Sequence, residues 1–402
     1  MEESPLLLQT LPATPFSLRV AVVTETYPPE INGVAMTIER MVKGLQVRNH
    51  QVQLIRPKQN PIDTAASHPR FEEMLKPGLS IPRYEGLKMG LPAKAALTRL
   101  WMMKRPDIVH IATEGPLGWS ALSAAIKLKL PVVTDFHTNF QTYSQHYGLG
   151  LLRVTINAYL RKFHNKGLVT LVPTESLREE LRQYGYSNLM VLGRGVDTQL
   201  FHPLRRQAEL RHQWGATEND TVALFVSRLA PEKNLQVVIE TWLQMRIINP
   251  RTKLVMVGDG PERATLQAVC PEVIFSGTRT GMDLAEHYAS ADVFLFPSTT
   301  ETYGNVTMEA MASGLAVVAY DHAAAREHIR HQQNGLLAKY NDVDDFAHQA
   351  MYLAANPQHA VHLGSNARST TETLDWESIN DAFEAVLLDV LHDQETGHPL
   401  SA

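Results

Sequence analysis

Residues 293–314 constrain this chain more than any other stretch. Four apolar residues, Val293-Phe294-Leu295-Phe296, have the length and composition of a buried parallel strand. Pro297, Ser298, Thr299 and Thr300 break it, and Gly304 opens a path to a helix carrying Val306, Met308, Glu309, Ala310 and Met311. A strand, a loop and a helix in this order aim backbone N–H groups and the positive helix end at the loop, which suits phosphate or another anion. Two carboxylates sit here, Glu301 in the loop and Glu309 on the helix. A carboxylate in this position can accept hydrogen bonds from sugar hydroxyls. The plainer reading is a loop glutamate and a solvated helix glutamate, and the spacing alone leaves both readings open.

The rest of the chain repeats the same grammar. Short β-branched or apolar runs recur at 19–26, 50–55, 107–111, 131–134, 169–174, 222–226, 253–257, 273–277 and 316–319. Helical spacing separates them, as at 34–46, where Val34, Ile38, Met41, Val42 and Leu45 share a face. Residues 57–85, rich in proline and charge, read as irregular. The alternation predicts an α/β protein of doubly wound parallel sheets, with ligands beyond the carboxyl ends of strands. A length of 402 residues predicts two such domains. On this reading Gly33 lies where the first strand becomes a helix, where a missing side chain lets phosphate approach the backbone. His137 directly follows a strand end. Arg228 and Lys233 lie at a strand end and a helix start, where two cations would neutralise a diphosphate and the charge that develops as it leaves.

Charge narrows the function classes. The net charge is −5, so no overall basic signal points to nucleic acid. Residues 1–190 carry 22 Lys and Arg against 15 Asp and Glu, and the remainder carries 15 against 27. Either the first half meets an anionic surface or substrate, or the two domains have simply drifted apart in charge. The helix expected at 151–166 sharpens that choice: Arg153, Arg161, Lys162 and Lys166 accompany Leu152, Ile156, Tyr159, Leu160 and Phe163. It fits peripheral binding to an anionic membrane through the N-terminal domain, and equally an ordinary surface helix. A single cysteine, Cys270, excludes an internal disulfide. No apolar run approaches the roughly 20 residues that span a bilayer. The acidic, proline-broken N-terminus reads as a mobile leader rather than a signal peptide, so a cytoplasmic protein is expected. Asp342-Val343-Asp344 has a metal-binding form, but the acids read better as the start of the next helix. No metal site is expected.

Glu301 and Glu309, with Tyr303-Gly304 between them and Ala312-Ser313-Gly314 after, resemble the E-x7-E element of family 4 glycosyltransferases. These are retaining enzymes of the GT-B fold that use nucleotide sugars. Arg228 and Lys233 match the family's R-x4-K pair. Residues 195–203, GVDTQLFHP, are similar to its interdomain connector, and Asn334-Gly335-Leu336-Leu337 to a late turn. The family often has two glycines where this chain has Asn32-Gly33. The run around His137, TDFHTNFQTYSQHYG, resembles the histidine-threonine element of the mannose-transferring and glycolipid branch.

The resemblance implies two Rossmann-like domains facing a central cleft. The first, 18–195, takes the acceptor, and the helix 376–391 returns to it. The second, 196–375, holds the nucleotide sugar. It implies that Arg228, Lys233 and the amides near Gly304, Asn305 and Val306 bind the diphosphate. Glu309 would accept from the ribose and Glu301 from the sugar, while Gly277 and Arg279 cradle the base. His137 and Gly33 would complete the sugar pocket, and Tyr143, His146 and Tyr147 would line the acceptor side or pack locally. The catalytic candidates are therefore His137, Glu301, Arg228 and Lys233, with no cofactor and no metal. The expected reaction moves a hexose, mannose from GDP-mannose, to a lipid or glycan acceptor. A UDP-sugar-dependent glucosyl- or galactosyltransferase acting on diacylglycerol lipid is one alternative. A catalytically silent nucleotide-sugar-binding protein is another, and a peripheral scaffold using its basic face a third.

Overall fold

A computed structural model describes residues 17–30, 32–80, 88–137 and 150–396. Tyr143, His146, Tyr147 and most of the leader lie outside the described residues. Strands are numbered in chain order: β1 Arg19–Val23, β2 Gln51–Pro57, β3 Ser67–His68, β4 Phe71–Lys76, β5 Gly78–Ser80, β6 Lys88–Gly90, β7 Ile108–Ile111 and β8 Val132–Asp135. β9 Val169–Val172, β10 Leu189–Val191, β11 Val222–Val226, β12 Lys253–Val257, β13 Ile274–Gly277, β14 Val293–Phe296, β15 Ala316–Tyr320 and β16 Leu336–Ala338 follow.

Among the described residues these form an eight-stranded sheet in the order β10-β9-β8-β7-β1-β2-β4-β3, a six-stranded sheet in the order β13-β12-β11-β14-β15-β16, and the hairpin β5-β6. All recorded pairings in the six-stranded sheet are parallel. Helices separate most of its strands, as the doubly wound reading requires. By compactness one unit comprises the described residues up to Asp135, Phe163–Thr170 and the chain from Glu384; the other comprises 136–162 and 171–383. The eight-stranded sheet closes at Val191, just short of the expected boundary at 195, whereas the second compact unit already begins at Phe136.

In the first unit β1 runs in register with β2 (Val20 opposite Val52) and with β7 (Val20 opposite Ile108). Trp101, Leu117, Ala121 and Phe163 cover β1 and β7 in one apolar cluster. The segment expected to be irregular is in part sheet, strands taking about half of its described residues: β4 lies parallel to β2, and β3 turns back antiparallel on β4. The charge that made it look solvated is paired inside the fold. Arg56, only 4% exposed, reaches Asp63 at 2.6 Å and Glu73 at 2.6 Å. The helix Trp376–Thr396 belongs to this unit from Glu384 onward, where Glu384 Oε1 lies 2.7 Å from His50 Nε2.

In the second unit β11 and β14 are buried along their whole length, which explains their uninterrupted apolar composition. The helix Val343–Ala355 packs on the helix Leu235–Ile248, and Pro357–Thr371 packs on Asn305–Ala312 and β15. Asp342 caps the helix Val343–Ala355, its side chain accepting from the Asp345 N–H at 3.0 Å, so that acid is used by the helix start. Asp292, immediately before β14, accepts the Val222 N–H at 2.8 Å and a guanidinium N–H of Arg211 at 3.1 Å. Arg211 is 1% exposed and also donates to the carbonyls of Ser290, Thr217 and Asp220. Replacing it would leave three carbonyls without this donor and Asp292 with only the Val222 N–H and Arg206, whose Nη2 donates to it at 3.0 Å. Arg211→Met is therefore expected to destabilise this unit by about 3 kcal/mol, read as a lower urea midpoint; an unchanged midpoint would mean water or Arg206 fully replaces it.

Candidate active site

Strand order locates the site. In the six-stranded sheet the connections run outward from β11 to β12 and β13 on one side, then cross back to β14, β15 and β16 on the other. The crevice beyond the carboxyl ends of β11 and β14 is thus the switch point where such sheets bind ligands. The β11 end delivers Arg228 and Lys233, and the β14 end delivers residues 297–304. Residues 68 positions apart in sequence, Lys233 and Glu301, meet here as an ion pair.

Glu301 is held from three sides. Its carboxylate accepts from Lys233 Nζ and from Ser298 Oγ, the latter at 2.8 Å. Its carbonyl lies 3.2 Å from His322 Nε2. Burial alone would raise its carboxyl pKa; the Lys233 charge and hydrogen bond, with that of Ser298, outweigh burial and lower it. The loop is fixed by hydrogen bonds to other elements, two of them accepted by its backbone and one donated by its own Thr300. Asn234 Nδ2 donates to the Pro297 carbonyl at 2.7 Å, Thr300 Oγ1 to that of Glu232 at 3.3 Å, and Tyr340 O–H to that of Thr299 at 3.1 Å. Arg228 extends to Glu232 and is about half exposed.

Gly304 then starts the helix Asn305–Ala312 with φ 92°, a left-handed conformation that a side chain would strain, and it carries no capping side chain. The first turn, with the Asn305 and Val306 amides, therefore opens toward the loop. One face along, Glu309 accepts the Tyr288 O–H at 2.9 Å. Its environment acts in the opposite sense from that of Glu301. Burial pushes its carboxyl up to about 7, only partly offset by the Tyr288 hydrogen bond.

The base-side candidates lie at the end of β13. The Gly277 carbonyl accepts the Gly258 N–H at 2.9 Å. Gly258 has φ 135°, and a Cβ there would fall 1.9 Å from the Ser227 carbonyl oxygen, so only glycine lets β12 and β11 end side by side. Arg279 donates to the Ser276 carbonyl at 2.9 Å and to Asp283 at 2.9 Å, which draws it along its own loop. His137, following β8, presents Nδ1 to the Arg194 guanidinium at 3.4 Å.

In the first unit Gly33 begins the helix Gly33–Val47, and Asn32 caps it by accepting the Ala35 N–H at 2.8 Å. The neighbouring carboxyl of Glu30 is pushed up by burial, against hydrogen bonds led by Thr26. The turn thus carries a side-chain cap and a carboxyl where a bare glycine pair would leave only amides.

The structure brings Lys233, Glu301 and Gly304 together at the β11 and β14 ends, with Arg228 near the end of β11 paired to Glu232, Asn305 and Val306 opening the helix after Gly304, and Glu309 further along that helix on Tyr288. Gly277 and Arg279 lie at the β13 end of the same sheet. Sequence reasoning missed Ser298, Tyr288, His322, Tyr340 and Arg194. Ser298 was already within the loop; Tyr288 lies on an ordinary helix, 21 positions before Glu309, and carries no motif. Among the described residues no group of three or more His, Cys, Asp or Glu could hold a metal, and no helix is long and apolar enough to cross a membrane.

Two family models match the chain, Glycosyltransferase Family 4 over residues 31–200 and Glycosyl transferases group 1 over residues 206–370. A GDP-mannose-dependent alpha-mannosyltransferase of Mycobacterium tuberculosis is 33% identical over 86% of this chain and 88% of its own length. An alpha-monoglucosyldiacylglycerol synthase of Acholeplasma laidlawii is 25% identical over 93% of this chain and 98% of its own. Among solved structures, the sucrose-phosphate synthase of Thermosynechococcus elongatus superposes with a TM-score of 0.76 at 19% identity, covering 93% of this chain and 99% of that one.

The opposed carboxyl environments make a measurable prediction. Glu309 has a folded value of about 7 against an ordinary 4.5, so its protonated form stabilises the fold below 4.5 and that contribution is lost as pH rises through 7. Glu309→Gln keeps an acceptor for Tyr288 without an ionisable group. Its thermal midpoint relative to the parent is expected to climb from about pH 5 to about pH 8 and level off above. A difference flat with pH would mean that Glu309 ionises normally.

Proposed function

The chain belongs to glycosyltransferase family 4 and is a hexosyltransferase of the GT-B fold; on that premise we propose that it transfers mannose from GDP-mannose to a lipid or glycan acceptor. The observation that carries this reading is the cation pair Arg228 and Lys233 at the switch point, beside an uncapped helix start. The identity to a GDP-mannose-dependent relative supports the choice of donor.

In this reading the diphosphate lies against Arg228, Lys233 and the amides of Asn305 and Val306. Glu309 accepts from the ribose, Gly277 and Arg279 hold the base, and Glu301, released in part from Lys233, accepts from the sugar. His137 serves the sugar. The bond from the anomeric carbon to the diphosphate oxygen breaks, the acceptor oxygen bonds to that carbon, and the acceptor proton leaves with GDP. Retention of configuration is inferred from the family. Two side-chain cations meet the charge that develops on the leaving diphosphate, and we propose that transfer needs no metal.

A second reading keeps the site and changes the substrates: a glucosyl residue from a UDP-sugar, transferred to a diacylglycerol lipid. The likeness to the Acholeplasma laidlawii synthase favours it. Thermal unfolding with saturating GDP, UDP and ADP separates the two. A ligand at 100 times its dissociation constant stabilises by about 2.7 kcal/mol, so a shift with GDP alone supports the first reading and a shift with UDP alone the second. No shift with any of them would overturn the nucleotide site and favour a scaffold. Turnover tests the chemistry. Lys233→Ala is expected to lower turnover by more than roughly tenfold, as loss of one charge contact in the transition state should. Near-normal turnover would remove Lys233 from the mechanism.

A further inference from the structure

We propose that Arg194 is a positioning residue that holds the His137 ring and ties it to the loop between Glu301 and Glu309. The inference rests on the reading of His137 as a sugar-side group.

Arg194 is a buried cation, 3% exposed, within a tightly fixed backbone. Two residues before it, the Leu192 N–H donates to Val172 at 2.9 Å, and two after it the Val196 N–H donates to Leu374 at 2.9 Å. Between them Gly195 lies so close to Asp375 and Trp376 that a Cβ would fall 2.7 Å from the Trp376 nitrogen. The Arg194 carbonyl accepts the Tyr303 O–H at 3.0 Å, and Tyr303 is itself 5% exposed. Because that hydroxyl spends its proton on Arg194, His328 Nε2, 3.0 Å from the same oxygen, must be the protonated ring nitrogen. Tyr303 stands two residues after Glu301 and one before Gly304, so the donor loop is anchored to the Arg194 backbone.

The Arg194 side chain reaches His137, with Nη2 lying 3.4 Å from Nδ1. A guanidinium can only donate, so Nδ1 must present its lone pair, and in the neutral ring the proton sits on Nε2. His137 itself follows a fixed point, since the Phe136 N–H donates to Leu171 at 2.9 Å and the Phe136 ring is fully buried. Beyond that point Arg194 is a group that bears on the ring's orientation, through Nδ1. In that tautomer Nε2 is the ring's donor nitrogen, the polarity that a hydroxyl oxygen of a sugar accepts.

The test uses the full chain, with GDP-mannose hydrolysis in the absence of acceptor as the turnover probe and GDP as the binding probe. Arg194→Met is expected to lower kcat roughly tenfold, with GDP affinity within about twofold of the parent. His137→Ala should lower kcat similarly, and the double variant should lose no more than either single one. Arg194→Lys, which keeps a donor, should recover part of the loss. Losses that multiply in the double variant, or a fall in GDP affinity matching that in kcat, would overturn the proposal. So would a silent His137→Ala or a silent Arg194→Met.

A second readout needs no turnover. With 15N-labelled histidine, the His137 Nδ1 resonance, assigned by its loss in His137→Ala, is expected to move in Arg194→Met. An unmoved resonance overturns the pairing whichever sugar is used. A moved resonance in a protein that UDP stabilises and GDP does not supports the pairing and sinks the mannosyl reading instead.

Discussion

Asp292 holds together the two strands on which the candidate site depends. Its carboxylate takes the Val222 N–H at the start of β11 and guanidinium N–H groups of Arg206 and Arg211, while its own position is one residue before β14. Two parallel strands joined at their starts arrive together at their ends, and those ends carry Arg228 and Pro297. The constraint is electrostatic at one edge and chemical at the other. A half-buried carboxylate with three donors, one of them the buried Arg211, is hard to dislodge, because removing that guanidinium leaves buried carbonyl groups without a donor.

At the opposite edge the same physics separates two residues of one type. Glu301 and Glu309 flank one helix start, yet Lys233 draws the first toward the ionised form and burial beside Tyr288 draws the second toward the neutral one. The first is a carboxylate paired with a cation; the second, near neutral pH, is poised between acceptor and donor. Opposed ionisation of two like residues this close is the pattern that candidate active sites show.

Much of this was legible in the residues. The four-residue apolar strands, the breaks after them and the helical spacing of 34–46 led to parallel sheets alternating with helices, and the second sheet is built that way. The acids at 342–345 were legible as a helix start because capping is a local interaction. The reading of 57–85 failed for the opposite reason. Proline and charge look like solvated loop until Arg56 finds Asp63 and Glu73, 7 and 17 positions away, and the charge is spent inside. Tyr288, Tyr340 and Arg194 left no local trace because each acts on a residue more than 20 positions distant.

By itself the sequence determined the fold class, the family and the residue types at the ends of β11 and β14. Those rest on short-range patterns: strand composition, helix starts, and cations and carboxylates at strand ends. Only the tertiary structure decided which of those groups meet. It paired Lys233 with Glu301, gave Glu309 a tyrosine partner, and brought a guanidinium to His137 across 57 positions. The physical reason is that ionisation and tautomer depend on burial and on neighbours supplied by other elements, and strand order, not distance along the chain, sets who those neighbours are.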